Sequence, residues 1–195
     1  TKLVVSEKLD GCSATYAIRQ HKFLFLKFYT YYICSRTQSR EAKKDNVWGE
    51  VYINYKLKEK LKRLFKIVRP KTSLVVQGEI IGEGVQGNKY KKNSFPEFYG
   101  FNLVVDREQI YPYNYFKEVG LSSVPCINPC NDELSNSEVT VEDILASSEG
   151  KSKINEKTER EGLVWRHYSK TESGKLVQDQ SFKSISRKFL LMHDE

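Results

Sequence analysis

Residues 3 to 34 are dense in Tyr, Phe, Ile and Thr, side chains that suit a pleated, half-buried surface. Breaks at Asp10-Gly11 and Gln20-His21 divide this stretch into consecutive strands joined by tight turns. The segment Phe23 to Cys34 is the longest greasy run. Lys27 interrupts it, and it falls short of the roughly 20 apolar residues that a membrane helix needs. A chain that opens this way must build sheet first and place any helices around it.

Helical period appears only later. Tyr52, Leu57, Leu61, Leu64, Phe65 and Val68 recur at helical spacing with lysines between them, which predicts an amphipathic helix over the second half of Trp48 to Val68. Arg69-Pro70 ends it. Before it, Ser35 to Asn46 is polar and reads as a surface loop. Ser73 to Ile81 and Glu97 to Asp106 return to strand character, with a Gly-rich loop through Asn93 between them. Thr140 to Ser147 reads as a short helix opened by a Thr-x-x-Asp capping box. Glu149 to Arg160 reads as a solvated connector, and Leu163 to Tyr168 and Ser181 to Ser186 as two further strands. Several strands with few helices between them predict an α+β fold with largely antiparallel sheets and peripheral helices. The length of 195 residues fits one domain, residues 1–195. The chain starts in a strand without an initiator Met, and little follows Leu191. Residues upstream are therefore expected to lie outside it.

Charge and cysteine content narrow the partners. Lys and Arg exceed Asp and Glu by 32 to 25, a net charge of +7, which favours a polyanionic partner. Cys12, Cys34, Cys126 and Cys130 are too sparse for a disulfide framework. A zinc site needs about four ligands, more than the Cys126–Cys130 pair supplies. Reduced thiols in a cytoplasmic, non-secreted protein are the expectation, with no membrane association.

Four short segments hold residues capable of chemistry. Glu7-Lys8-Leu9-Asp10-Gly11 puts a lysine at a strand end before an Asp-Gly turn. A turn alone accounts for that string. A nucleophile also fits it, because an amine at a strand end projects into a cleft. To attack, a lysine must first lose a proton that it ordinarily holds up to a pH of about 10.4. Gly82 to Gly87 is literally a GxGxxG, but the stretch after it is polar and non-periodic, so the helix of a dinucleotide fold is missing. What remains there is Gln77-Gly78-Glu79, a carboxylate on a strand whose flanking glycine permits close approach of a ligand. Glu161-Gly162-Leu163-Val164 and Phe182-Lys183 are, singly, ordinary strand starts and strand interiors.

In this order, the segments resemble the ATP-dependent RNA and DNA ligase branch of the covalent nucleotidyltransferase superfamily, which also includes messenger-RNA capping enzymes. Lys8-Leu9-Asp10-Gly11 is similar to the family's KxDG signature, and Ser35-Arg36 to the Ser-Arg segment after it. Gln77-Gly78-Glu79, Phe98-Tyr99-Gly100-Phe101, Glu161-Gly162-Leu163-Val164 and Phe182-Lys183 resemble the signatures that follow. Leu74 to Tyr90 is closer to RNA ligases than to DNA ligases. Ile185 departs from the pattern, since a second lysine usually stands there, and Lys188 is the candidate to replace it.

The resemblance implies a nucleotidyltransferase fold around a nucleotide cleft, in a chain that is either a catalytic fragment without the carboxy-terminal domain many such ligases carry or a minimal enzyme. Lys8 would attack the α-phosphate of ATP, carry AMP as a phosphoramide and pass it to a 5′-phosphate, which a 3′-hydroxyl then joins. Lys183 would stabilise charge on the phosphate. Glu161 and Glu79 would hold Mg²⁺ or Mn²⁺, Glu79 the ribose, Arg36 the ribose or the incoming 5′-phosphate, Phe101 the adenine ring, and Glu7 its amino group. Asp10 and Gly11 would shape the turn beside the nucleophile. Lys89, Lys91 and Lys92 would track the nucleic-acid backbone. The implied partner is RNA with nicked or broken ends, acted on by a monomer. DNA, or a GTP-dependent capping reaction, is the alternative on the same fold. A nucleic-acid-binding module without catalysis is the rival of a different class.

Overall fold

Strand residues alternate faces, and the apolar residues of the central strands do so consistently, which is what a sheet covered on one side requires. The structure is a computed structural model that describes residues 1–92, 95–127 and 140–193. Its strands are β1 (Lys2–Lys8), β2 (Cys12–Phe23), β3 (Leu26–Cys34), β4 (Ser39–Arg40), β5 (Ser73–Ile81), β6 (Glu97–Val105), β7 (Glu108–Ile110), β8 (Gly162–Lys170) and β9 (Leu176–Ile185). The helices are α1 (Val47–Asn54), α2 (Leu57–Val68), α3 (Tyr113–Val119), α4 (Val141–Ser148) and α5 (Arg187–His193). The strands form one sheet in the order β1-β8-β9-β7-β6-β5-β2-β3-β4, with antiparallel ladders throughout. The predicted α+β class with antiparallel pairing is what the chain adopts.

One side of β2, β5 and β6 is covered by helices. Ala14, Tyr16 and Ile18 of β2, Leu74, Val76 and Ile80 of β5, and Phe98 and Leu103 of β6 pack against Val51 of α1, Leu57, Leu61, Leu64 and Phe65 of α2, and Phe116 and Val119 of α3. Burying a side chain such as Leu64 stabilises the fold by about 1.5–3 kcal/mol. A smaller cluster of Val5, Leu163 and Trp165 is closed by Ile144 of α4. With one face of β2 and β5 sealed by helices, their other face is left for a site.

Several boundaries differ from the sequence reading. Gln20-His21 is no turn: β2 runs through it, pairing His21 with Phe28, and the chain reverses at Leu24-Phe25. Neither Gln nor His has turn chemistry, whereas ring stacking of His21 on Phe28 (5.0 Å between centroids) holds the pair in the ladder. The Asp10-Gly11 break stands, but the strands it separates do not pair with each other. β1 pairs with β8, and β2 with β3 and β5. The first half of Trp48 to Val68 is also helical, as α1, capped by Asn46 accepting from the Gly49 N–H at 2.8 Å. Glu149 to Arg160 is not wholly solvated, because Ser152 is buried within it. β7, α3 and α5 had no sequence prediction, and Ser39–Arg40 form β4 within the stretch read as a surface loop, because they pair with Cys34 and Ile33 of β3. The capping box at Thr140 is present as expected, with both reciprocal bonds to Asp143. After Gly82 the chain makes only a 3₁₀ turn at Gln86–Asn88, so no dinucleotide-type helix follows the glycines. Cys12 and Cys34 are free thiols. Cys130, and with it the Cys126–Cys130 pair, lies outside the described residues, as does Asn93.

Candidate functional site

The open face of the sheet holds a cleft of about 540 Å³. Lys8 ends β1 opposite Gly162 of β8, and Glu161 is the residue just before that partner. The ladder therefore brings the lysine amine to the Glu161 carboxylate across 153 residues of sequence, and Lys8 Nζ donates to Glu161 Oε1. Glu161 Oε2 is buried and accepts no hydrogen bond among the described residues. On the next strand of this sheet, Val164 of β8 faces Lys183 of β9, which puts the second lysine into the same cleft. Lys183 has no ion-pair partner among the described residues.

Glu79 enters from β5, where it pairs with Ser13 of β2 and Tyr99 of β6. Burial pushes its carboxyl up to about 7, with the Lys8 ammonium and the Gly11 N–H opposing and the charges of Glu161 and Asp10 adding to the rise. Three carboxylates thus converge beside one amine, an arrangement that repels itself unless cations are present. The glycine before Glu79 has a different purpose from the one expected of it. A Cβ on Gly78 would come within 2.4 Å of the Phe98 ring and of the Tyr99 carbonyl, so packing, not ligand approach, requires glycine there. Gly11 is equally constrained, since a Cβ would meet the Ile80 carbonyl oxygen at 2.2 Å.

The cleft lining includes Glu7, Lys8, Asp10, Gly11, Arg36, Glu79, Phe101 and Lys183, and Glu161 joins it through Lys8. These nine candidate residues therefore gather in one place. Their individual settings refine the expected roles. Asp10 is held by an ion pair to Lys89, and its N–H donates to the Tyr90 hydroxyl at 2.7 Å, consistent with fixing the turn. Glu7 is only 1% exposed, and its carboxylate accepts from the Lys153 N–H at 2.8 Å. Of the three loop lysines, Lys89 is thereby engaged by Asp10 and Lys92 by Glu97, which leaves Lys91 exposed. Lys188 is absent from the cleft. It lies in α5, where its backbone N–H helps hold Glu149 ionised.

Sequence reading missed Arg166. This guanidinium, 6% exposed, lines the cleft over the Phe101 ring at 5.4 Å and donates to Ser6 Oγ at 2.9 Å. An arginine inside a strand carries no signal of its own. Only the β1–β8 register reveals that it shares the face of Lys8.

The residues fit a divalent cation in part. Glu161 Oε2 is an orphaned hard oxygen, the donor type that Mg²⁺ or Mn²⁺ prefers, and Glu79 stands near it electrostatically. Among the described residues no group of three His, Cys, Asp or Glu could hold a metal alone. A cation here would draw its remaining oxygens from water and from a bound phosphate.

Lys8 paired with Glu161, a second carboxylate in Glu79 and a second lysine in Lys183 share one cleft, and comparison with known proteins decides the family. The model of the RNA ligase family matches residues 1–185. The chain belongs to the RNA ligase family. Comparison with curated proteins gave no match. Among solved structures, this family member is similar to Naegleria gruberi RNA ligase with PPi, at 28% identity and a TM-score of 0.72, covering 99% of this chain and 52% of that one. A variant of the same ligase with AMP and Mn matches at 27% identity and a TM-score of 0.74, with 99% and 52% covered. Another, with ATP and Mn, matches at 26% identity and a TM-score of 0.73, with the same coverage. The chain therefore spans about half the length of the ligases it matches. No described helix is long and apolar enough to cross a membrane.

Proposed function

We propose that residues 1–195 form a single adenylyltransferase domain of an ATP-dependent RNA ligase, with the nucleotidyltransferase fold and with Lys8 as the residue that carries AMP. The observation that carries this reading is the pairing of Lys8 with Glu161 inside a cleft that also holds Glu79, Arg36, Phe101 and Lys183. Lys8 attacks the α-phosphate of ATP, the bond to pyrophosphate breaks, and a lysyl-AMP phosphoramide forms. The adenylate then passes to an RNA 5′-phosphate, and a 3′-hydroxyl displaces AMP. Covalent catalysis divides one difficult condensation into easier displacements.

The settings of the side chains support a role for each. While Glu161 holds Lys8 as an ion pair, the amine cannot attack, so activation requires Glu161 to turn to another cation. Mg²⁺ or Mn²⁺, bound at Glu161 and Glu79, would supply charge neutralisation at the phosphate. Lys183, which has no carboxylate partner among the described residues, is free to meet the α-phosphate and stabilise the charge on it. Phe101 offers one ring face to adenine, the other being covered by Arg166. The complexes of Naegleria gruberi RNA ligase with ATP, AMP and Mn support the same nucleotide and metal class for this chain.

The test is incubation with α-labelled ATP and Mg²⁺ or Mn²⁺, beside Lys8→Ala and a GTP control. An acid-labile, ATP-specific label on the protein that is lost in Lys8→Ala is the expected result. Absence of label with either metal would overturn autonomous nucleotide transfer, and label from GTP would assign the capping reaction instead.

A further inference from the structure

The cleft is one end of a longer surface. Ser13 lines the cleft, and along β2 the residues at steps of two from it share its face: Thr15, Ala17, Arg19, His21 and Phe23. Opposite them on β3 stand Cys34, Tyr32, Thr30, Phe28 and Leu26. Thr15, Ala17, His21, Thr30 and Cys34 are half-buried, but the rings on this side stand open: Tyr32 is 40% exposed, Phe28 51% and Phe23 66%. Isolated exposed apolar residues need no explanation, but several open rings on one face do.

Its electrostatics point to the chemistry of the occupant. From Gly11 through Arg40 there is no Asp or Glu, although the chain carries 25 of them. That stretch holds Arg19, Lys22, Lys27, Arg36 and Arg40, of which Arg19 lies on the track face and Arg36 in the cleft itself, while Arg40 shares the covered face of Ile33 and lies over the Trp48 ring at 4.6 Å. Lys22 and Lys27 are direct cross-strand partners on the reverse of the ribbon, a like-charge pairing that costs stability. Uncompensated positive charge combined with open aromatic faces is the composition that binds single-stranded nucleic acid: cations meet phosphates and rings stack with bases of any sequence. The stacked His21–Phe28 pair already presents such a platform.

We propose that the cleft-facing side of the β2–β3 ribbon is a track for single-stranded RNA leading away from the end to be joined, with bases stacking on Tyr32 and the His21–Phe28 pair and Arg19 meeting the backbone. This rests on the RNA ligase reading and adds to it a strand path outside the nucleotide cleft. Ten residues separate Ser13 from Phe23, so the track is about 33 Å long at 3.3 Å per residue, room for several nucleotides beyond the cleft. Continuity with the cleft favours RNA over an anionic lipid surface, the other partner that an apolar tip between lysines would suit.

The test compares the full chain with Phe28→Ala/Tyr32→Ala, Arg19→Ala and the ring-retaining Tyr32→Phe. Fluorescent oligoribonucleotides, one long enough to span the track and one short enough to fill only the cleft, are titrated by anisotropy. Binding of the long strand is expected to weaken about tenfold in the double variant and to keep its strength in Tyr32→Phe, with the short strand unaffected. Arg19→Ala should lower the slope of log affinity against log salt by about 1. Labelling from ATP, which reads Lys8 and not the track, should persist in all three and certifies their folding. Because RNA binding and labelling are measured separately, loss of the ligase reading and loss of the track show as different results. Equal binding of the long strand by the parent and the double variant would overturn the track, as would no binding by the parent. Loss of binding to phosphatidylserine vesicles with RNA binding intact would overturn it in favour of a membrane surface.

Discussion

Glu7 and Lys8 are neighbours whose side chains have opposite fates, because consecutive strand residues face opposite sides of a sheet. Lys8 pairs with Glu161 in the cleft, while the Glu7 carboxylate is buried against the segment that follows α4. Burial raises the Glu7 carboxyl above its ordinary value of 4.5, and the Ser152 hydroxyl, the Lys153 N–H and the Arg160 charge only partly offset it. A group that binds its proton more tightly when folded gives stability below the unfolded value, and that stability fades as pH rises through the folded value. Glu7→Gln keeps an acceptor for Lys153 and removes the titration. Urea unfolding of the variant should lose the fall in stability that the parent shows as pH climbs from about 4.5. An unchanged pH profile would mean that Glu7 is not the group responsible. At this scale the sequence was legible where a motif marked the residue, as for Lys8 and Glu79. It was silent for Arg166, whose role depends on what lies opposite it in the sheet.

Among the elements, the β6–β7 turn shows how a short polar residue holds two strands together. Asp106, in the left-handed region at φ 48°, accepts from the N–H groups of Thr72 at 2.8 Å and Ser73 at 3.0 Å and from the Thr72 hydroxyl at 2.9 Å. Against the desolvation of its carboxylate, these bonds and that of the Lys71 N–H hold its pKa below the usual 3.8. The stability it confers is complete above the ordinary carboxylate range and is lost as pH falls through its lowered value. Asp106→Ala should cost roughly 1–2 kcal/mol near neutral pH, allowing for solvent screening, with a reduced deficit in strong acid. Denaturant melts at the two pH values check this, and an equal deficit at both would contradict the charge-assisted account. Strands β5 and β6 were evident from their composition, as was α2 from its period. The end of β2 was not, because a stacked His–Phe pair across the ladder outweighs local polarity. The helix α1 lacked a clean apolar stripe, and α3 and α5, at seven residues each, are too short to display a period.

Taken whole, the molecule separates two kinds of interaction by position. In the cleft Lys8 is paired with Glu161, Asp10 with Lys89, and Glu7 and Arg166 are buried, so cations and carboxylates there offset one another, whereas the positive surplus of +7 lies largely on the surface. Surface charge acts through counterion release and is screened by salt; enclosed charge is screened much less. Raising salt from about 50 to 200 mM should therefore weaken RNA binding by an order of magnitude or more, while labelling of Lys8 from saturating ATP changes far less. Parallel titrations of anisotropy and label check it. If labelling falls as steeply as RNA binding, the cleft is as exposed to solvent as the surface.

The chain by itself determined the class of fold, through side-chain composition and period, and the chemistry on offer, through a lysine, two glutamates and a second lysine in a fixed order. These are local properties, set by the covalent geometry of neighbouring residues. Tertiary structure alone decided that β1 leaves its sequence neighbour to pair with β8, and this places Lys8 against Glu161 and Arg166 on the same face as both lysines. Pairing between strands so distant is chosen by burial of whole faces against helices, an energy summed over the entire core. No short stretch of sequence contains that sum.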